Sequence, residues 1–209
     1  MNFTPHRIPA LLPKMFPRLI WSMPANEKII YLTFDDGPVP GPTEFVLGTL
    51  QSFQAKATFF CIGDNVRKHP EVIKKVIDGG HSVGNHTYNH LKGWSTSVEK
   101  YVESVKACDG ELRTSNCLLH TLFRPPYGRI RPNQIKALSH YKIVMWDVLS
   151  LDYQVGGKNE QYLENTIEAT QPGSIVVFHD SYKAEKKLNY MLPRYLEHFS
   201  QMGYQFKSL

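Results

Sequence analysis

The sequence predicts an α/β fold in which a parallel sheet of about six to eight strands is covered by helices and closes toward a barrel. Two observations predict it. Short apolar runs typical of buried strands alternate along the chain with amphipathic helical patterns. The polar motifs follow the ends of these runs, where ligand sites gather in such folds. We therefore expect the functional site at the carboxyl edge of the sheet.

The composition is that of one domain. The chain has 209 residues, of which 42% are hydrophobic, and this is enough for a sizeable core. A net charge of +5 with Lys and Arg interspersed among acids gives no basic stripe, so we expect no nucleic-acid partner. A monomer is expected. Cys61, Cys108 and Cys117 show no paired spacing, and buried thiols are expected rather than disulfides or a cysteine zinc site.

Residues 1–27 are rich in proline and are predicted to form an irregular arm packed on the domain of residues 28–209. Their apolar residues do not run long enough for a signal peptide core or a transmembrane segment. The sequence-based expectation is a cytoplasmic protein.

The predicted elements alternate regularly after this arm. Strands are predicted at residues 29–34, 57–62, 81–84, 119–123, 143–146, 174–178 and 204–206. Helices are predicted at residues 43–53, 71–77, 95–112, 134–140, 162–169 and 188–202. Pro42 suits the first position of its helix, and Ser95 or Ser97 is the expected N-cap of the helix near residue 95.

Asp35 and Asp36 follow the first predicted strand directly. Successive strand residues point to opposite faces, so two neighbouring acids have different surroundings and suit different roles. The alternative is an acidic turn, since Gly37 and Pro38 are ordinary turn residues.

His86 and His90 are spaced i and i+4, which on a helical turn places both imidazoles on one face. The spacing alone also fits two surface histidines. Adding Asp36 gives two histidines and one carboxylate, a recognised catalytic metal set.

Arg124 follows the strand predicted at 119–123 and needs a carboxylate partner if buried; Asp35 is the candidate. A surface arginine beside a turn is the alternative.

His179 ends another apolar strand, where it is placed for proton transfer or is a hydrogen-bonded core residue. Asp152 is positioned to orient His179 and raise its pKa, while Asp147 and Trp146 also fit structural roles.

Five stretches of the chain together resemble one family. Residues 33–38, 86–90, 124–128, 146–153 and 176–180 occur in the order of the five motifs of the polysaccharide deacetylases, the NodB-homology or carbohydrate esterase 4 family. The resemblance covers residues 28–208. It implies a distorted, TIM-like (β/α) barrel with about seven parallel strands.

The resemblance also implies a role for each motif residue. Asp36, His86 and His90 would bind a divalent metal, with Zn²⁺ expected and Co²⁺, Ni²⁺ or Mn²⁺ as alternatives. Asp35 would be the base for a metal-bound water and His179 the acid. The supporting residues would be Arg124 orienting Asp35, Asp152 tuning His179, Tyr127 donating its N–H to the oxyanion, and Trp146 and Tyr153 lining the substrate pocket.

The fourth motif departs from the family pattern. Leu149 stands where an acid is common, and Tyr153 where tryptophan is common. The implied activity is removal of N-acetyl groups from N-acetylglucosamine-containing glycans, either peptidoglycan or chitin oligosaccharides. A deacylase of a smaller amide or imide and a catalytically silent glycan-binding protein are the alternatives. A non-haem iron oxygenase, which shares the ligand set, has no need of a separate base and acid.

Overall fold

The computed structural model describes residues 5–115 and 121–209. Cys117 and the first two residues of the strand predicted at 119–123 lie outside the described residues. The strands are β1 (Ile29–Asp35), β2 (Thr58–Cys61), β3 (Ser82–Asn85), β4 (Leu122–Phe123), β5 (Lys142–Ile143), β6 (Val148–Leu149), β7 (Ile175–His179) and β8 (Gln205–Lys207). The helices are α1 (Leu11–Met15), α2 (Pro42–Ser52), α3 (Gly63–Lys68), α4 (Pro70–Asp78), α5 (Val98–Thr114), α6 (Pro132–Ala137), α7 (Asn159–Ala169) and α8 (Glu185–Gln201).

The strands form one curled parallel sheet. Seven of them follow the order β5-β4-β3-β2-β1-β7-β6, and β8 pairs with the beginning of β1. Helices alternate with these strands along the chain. The predicted fold class, a distorted (β/α) barrel with about seven parallel strands, is confirmed.

Strand β1 pairs with three other strands, β2, β7 and β8. Its residues Ile30, Leu32 and Phe34 are fully buried, and Phe34 packs between Phe59 and Phe178 with ring centroids 5.1 and 6.1 Å away. In the parallel register Asp35 pairs with residues of β2 and β7, the latter being His179. The carboxyl ends of β1 and β7 therefore bring two polar side chains to one edge.

The single strand predicted at 143–146 is wrong. The chain forms β5 at Lys142–Ile143 and β6 at Val148–Leu149, on opposite ends of the sheet. Residues 144–147 connect the two sheet ends. An apolar run in the sequence does not show that the chain changes pairing partner within it.

The N-terminal segment contacts both ends of the sheet. The Ile20 backbone donates to Ile143 O at 2.9 Å and accepts from Met145 N at 2.7 Å. On the other side, Leu149 N donates to His6 O at 2.7 Å and Ile8 N donates to Asp147 O at 3.0 Å. These bonds satisfy backbone groups that an open sheet edge would leave unpaired. The domain boundary at residues 27 and 28 stays a prediction.

Smaller features follow local sequence chemistry. Pro42 occupies the first turn of α2, and Ser97, rather than Ser95, caps α5 by accepting a hydrogen bond from Lys100 N. In residues 5–115 and 121–209 no helix combines the length and apolar character needed to cross a membrane.

Substitution of two glycines, one in the sheet and one in a helix, tests the packing of the sheet. A Cβ on Gly84 of β3 would lie 2.6 Å from the Phe60 ring, whereas a Cβ on Gly110 of α5 would meet no atom within 4 Å. We expect Gly84→Ala to lower the free energy of unfolding by about 1–3 kcal/mol through overpacking. Gly110→Ala, the matched control, should raise it by about 0.5–1 kcal/mol because alanine favours the helix. Urea denaturation followed by circular dichroism measures both; a Gly84→Ala protein as stable as wild type would contradict this packing.

Candidate active site

The adjacent acids at the end of β1 have different environments. Asp35 is buried, and its Oδ1 accepts a hydrogen bond from Arg124 Nη1 at 2.8 Å. Asp36 is half-buried, has a positive φ of 80° and turns its carboxylate toward His86 and His90. Side-chain directions alternate along β1, and the turn at Asp36 adds to this difference, so the two carboxylates point to different places.

Arg124 is held by four hydrogen bonds. It is fully buried, and besides Asp35 it donates to Thr33 Oγ1 at 2.7 Å, to Met145 O at 2.8 Å and to Val144 O at 3.3 Å. Its guanidinium lies 4.1 Å from the centroid of the Phe60 ring. A buried guanidinium with all these contacts keeps one orientation, and it holds Asp35 in one orientation too.

Asp36, His86 and His90 form a cluster of three ligand groups. One ligand atom from each of them lies within 4.8 Å of the others. Asp36 Oδ1 is 3.2 Å from His90 Nε2 and 3.7 Å from His86 Nε2. Both histidines therefore present the same type of nitrogen to one carboxylate oxygen.

The hydrogen bonds of this cluster fit a divalent cation. His86 Nδ1 lies 2.8 Å from the Arg124 carbonyl, which accepts its proton and leaves the Nε2 lone pair directed at the cluster. Burial lowers the pKa of His86 to about 4, against the effect of Asp35, so the imidazole is neutral at pH 7. Burial raises the pKa of Asp36, but the hydrogen bond from His90 and the nearby imidazoles outweigh it and hold the pKa below its usual range. A neutral imidazole and an ionised carboxylate are the protonation states that metal binding requires.

The helical turn expected for His86 and His90 is wrong. Residues 86–90 form an irregular loop in which Thr87 and His90 have positive φ values of 65° and 57°. These two left-handed residues, rather than an α-helix, bring the imidazole centroids to 5.1 Å. A spacing of i and i+4 is compatible with both geometries, so the sequence does not distinguish them.

Side chains of β3 and α5 fix this loop. Asn85 Oδ1 accepts from Thr87 N at 2.8 Å, and Asn85 Nδ2 donates to Val105 O at 2.8 Å and to Asp109 Oδ1 at 2.7 Å. Ser104 Oγ accepts from Tyr88 N and donates to Asn89 Oδ1, both at 3.0 Å. The loop therefore takes its unusual backbone from contacts with a regular helix.

His179 is paired with Asp152. The Asp152 carboxylate lies 2.7 Å from His179 Nδ1 and accepts the His179 backbone N–H at 2.8 Å. Burial lowers the pKa of His179, but the charge and hydrogen bond of Asp152 outweigh it, with smaller contributions from Asp36 and Asp35, and raise the pKa to about 9. The imidazolium is therefore the stable form at pH 7, with Nδ1 directed at Asp152.

These side chains share one pocket of about 540 Å³. Tyr127, Trp146, Leu149 and Tyr153 form parts of its wall, and the Tyr153 ring lies edge-on to the His179 ring at 4.8 Å. The full lining consists of Asp35, Asp36, His86, His90, Tyr127, Arg129, Trp146, Leu149, Tyr153, Val177, His179 and Lys183. Arg124 and Asp152 contact lining residues from behind.

Sequence reasoning missed the role of Asp180. This buried carboxylate accepts hydrogen bonds from Gly37 N at 3.0 Å and Thr43 Oγ1 at 2.7 Å, and burial raises its pKa to about 8. It joins the end of β7 to the turn after Asp36. A Cβ on Gly37 would collide with this carboxylate, so the position requires glycine. The sequence signal was the Asp next to His179, which by itself carries no information on its partner.

Asp147 has a structural environment. It accepts hydrogen bonds from Ser174 Oγ and Ile175 N, both at 2.8 Å, and lies 3.7 Å from the Arg7 guanidinium. It fixes the beginning of β7 from the segment between β5 and β6. Asp147 does not line the pocket.

The fold and the pocket define a parallel (β/α) barrel with a histidine and carboxylate site at the carboxyl edge of the sheet. The family model described as polysaccharide deacetylase matches residues 22–146, which is more than half of the chain. The chain belongs to the polysaccharide deacetylase family.

Curated relatives agree with this assignment. A peptidoglycan-N-acetylglucosamine deacetylase of Bacillus cereus is 35% identical over 191 residues, covering 89% of this chain and 88% of the relative. The peptidoglycan-N-acetylmuramic acid deacetylase PdaC of Bacillus subtilis is 30% identical over 76% of this chain, but the chain spans only 33% of that relative. The chain spans 59% of the length of a second peptidoglycan-N-acetylglucosamine deacetylase of Bacillus cereus.

Solved structures share the architecture. The Bc1960 peptidoglycan N-acetylglucosamine deacetylase superposes with a TM-score of 0.88 at 28% identity, covering 97% of this chain and 95% of that one. BA3943 of Bacillus anthracis, a CE4 family pseudoenzyme, has a TM-score of 0.82 at 22% identity, covering 91% of this chain and 66% of that one. The second likeness concerns the fold alone.

The three-ligand cluster yields a test by metal analysis. We expect His86→Ala/His90→Ala to lose the bound divalent metal, because one carboxylate alone binds such a cation weakly. The matched control is His140→Ala/His198→Ala, which removes two exposed histidines outside the pocket. Elemental analysis should give about one equivalent for wild type and for the control, and close to none for the site variant. A full equivalent in the site variant would contradict the ligand assignment.

Proposed function

We propose that the protein is a metal-dependent hydrolase that removes N-acetyl groups from N-acetylglucosamine-containing glycans, either peptidoglycan or chitin oligosaccharides. One observation carries the proposal. The pocket holds a three-ligand cluster and, separately, a carboxylate and an imidazole that each have their own buried partner. Amide hydrolysis needs a separate base and acid, since one group must take a proton and another must give one.

The substrate class is supported by the relatives and by the pocket. The Bacillus cereus relative at 35% identity acts on peptidoglycan N-acetylglucosamine by its name. A pocket of about 540 Å³ lined by Tyr127, Trp146 and Tyr153 has the size and the aromatic walls that suit an acetylated sugar unit.

Asp35 would act as the base. A divalent cation held by Asp36, His86 and His90 would polarise the amide carbonyl and lower the pKa of water toward neutrality. Asp35 lies beside this cluster in the pocket and is not one of its ligands. Arg124 keeps it oriented, so that it can take the proton of the attacking water.

Tyr127 would stabilise the developing oxyanion through its backbone. Its positive φ of 60° turns the peptide, and within residues 5–115 and 121–209 its N–H donates to no protein acceptor. Tyr127 lies against His90 with ring centroids 4.5 Å apart, which places this residue next to the proposed metal ligands. A preorganised donor of this kind contributes about 3 kcal/mol to stabilising a transition state.

His179 would complete the reaction as the acid. An amine anion is a very poor leaving group, so the nitrogen must be protonated as the C–N bond breaks. Asp152 binds Nδ1 and stabilises the imidazolium, which leaves Nε2 to carry the transferable proton. The products are acetate and a free amino sugar.

Shared fold alone does not establish catalysis, since BA3943 is a pseudoenzyme with the same architecture. What distinguishes an active site is the complete set of groups. This chain holds Asp35 and His179 together with the three ligand groups in one pocket, and this argues against a silent glycan-binding protein.

Substitution of the two acids separates their roles. Asp35→Asn should keep the fold and a full equivalent of metal but lose hydrolysis, because the amide cannot accept the proton. Asp36→Asn should lose both metal and hydrolysis. Acetate release and metal content, measured on the same preparations, give the answer. Retention of metal by Asp36→Asn and its loss by Asp35→Asn would exchange the two assignments.

Removal of the acid is expected to depend on the leaving group. His179→Ala should lower kcat by about 10²–10⁴-fold on a sugar amide, the usual range for general acid catalysis, without loss of metal. The decrease should shrink along a series of acetanilides with increasingly acidic anilines, because these leave with less help. Equal decreases on all substrates would show that His179 has a positioning role instead.

Removal of the partner of His179 should shift the pH profile. The pKa of His179 is raised, so its proton is present below about pH 9 and is lost as the pH rises through that value. Asp152→Asn removes the main cause of the increase, and the alkaline limb of kcat/KM should move to lower pH by more than about one unit. An unchanged alkaline limb, with metal content equal to wild type, would contradict the assignment of that limb to His179.

A further inference from the structure

A surface beside the pocket carries exposed aromatic side chains next to cations that form no ion pair with the described residues. Trp94 and Tyr127 are 56% and 51% exposed, which is unusual for residues of this size. Arg129 lies over both rings, 5.1 Å from the centroid of Trp94 and 6.0 Å from that of Tyr127, and Lys92 lies 5.1 Å from the Tyr127 ring. We call Lys92, Trp94, Tyr127 and Arg129 the Trp94 surface.

This surface is continuous with the pocket. Tyr127 and Arg129 both line the pocket, and Tyr127 packs on the proposed metal ligand His90. Trp94 is not part of the pocket lining, but it contacts Arg129, which is. A chain molecule that leaves the pocket past Arg129 therefore meets the Trp94 surface with its next unit.

The loop that carries Trp94 is rigidly held. Gln134 is fully buried, and its Nε2 donates to Gly93 O at 2.9 Å and to Thr96 O at 3.1 Å. Arg131 donates to Trp94 O, and the Cβ-free Gly93 packs directly on Arg129 O. An exposed indole on a loop fixed from both sides loses little conformational freedom when it binds a ligand.

The charges of this surface are not balanced by acids of the protein. Among the described residues no carboxylate lies within 4.0 Å of the charged nitrogens of Arg129 or Lys92. The two carboxylates of the pocket are already engaged, Asp35 by Arg124 and Asp36 by the histidines. The positive charges of Arg129 and Lys92 therefore complement an anionic ligand.

We propose that the Trp94 surface is a subsite for a carboxylate-bearing sugar next to the sugar that is deacetylated. The indole of Trp94 packs against the C–H face of the pyranose, and the guanidinium of Arg129 binds the carboxylate of its substituent. The inference rests on the proposed function and makes it more specific. It gives the enzyme a preference for an anionic glycan over a neutral one of the same length.

The test compares one glycan in two forms. The first is a soluble oligomer in which N-acetylglucosamine alternates with a lactyl-ether sugar that carries a carboxylate. The second is the same oligomer with its carboxyl groups reduced to alcohols. Wild type should favour the carboxylate form in kcat/KM by about two- to fivefold at low salt, the range for an exposed ion pair, and the preference should fall as salt is added.

The variants separate charge from stacking. Arg129→Gln should bring the ratio of the two forms to one, and Arg129→Lys should restore part of it. Trp94→Ala should raise KM for both forms by about tenfold with kcat unchanged, since it removes binding outside the reacting centre. Tyr182→Ala, which removes an equally exposed aromatic outside the pocket lining, is the matched control and should behave as wild type.

Two results would overturn the subsite. One is a wild-type protein that treats both forms equally, and the other is an Arg129→Gln protein that keeps the full preference. Calorimetric titration of both oligomers into wild type and Arg129→Gln gives the same comparison without turnover. Failure of the proposed function is distinguishable, because the protein would then release no acetate from either form while the binding comparison still decides the subsite.

Discussion

The ion pair between Arg124 and Asp35 is the constraint on which the site depends. A guanidinium in the sheet interior is tolerated only when its charge and donors are matched, and Asp35, Thr33 and two carbonyls of the segment after β5 match them. Because Arg124 O also accepts the proton of His86 Nδ1, the same residue orients the base on one side and a metal ligand on the other. Loss of Arg124 would thus disturb both halves of the site at once.

The parallel register supplies the rest of the geometry. β1, β7 and β3 all end at one edge of the sheet. Asp35 and His179 are the last residues of β1 and β7, and His86 directly follows β3, so the buried strands determine where these side chains lie. Three local features complete the positions of the site residues: a left-handed turn at Asp36, the loop of residues 86–90 and the Asp152 hydrogen bonds to His179. Asp180 accepts a hydrogen bond from Gly37 N and so connects the turn after β1 to the end of β7.

The sequence predicted what depends on periodicity and order. The alternation of strands and helices and the five ordered motifs were enough for the fold class. The residues that the motifs named for the site lie in one pocket or directly behind it, and their roles stay predictions. The sequence did not predict contacts that depend on three-dimensional pairing. The division of residues 142–149 between β5 and β6 depends on pairing with two different strands, β4 and β7. The conformation at His86 and His90 depends on hydrogen bonds from Asn85 and Ser104. The partners of Asp180 lie more than a hundred residues away in sequence, and no local pattern indicates them.

We propose that this arrangement hydrolyses the N-acetyl group of a sugar. The most direct measurement is mass spectrometry of N-acetylated glycan oligomers, from peptidoglycan and from chitin, after incubation with the metal-supplemented protein. We predict losses of about 42 Da per acetyl group, matched mole for mole by released acetate and prevented by chelation. Unchanged masses for all oligomers, with a folded protein that carries its full equivalent of metal, would contradict the account.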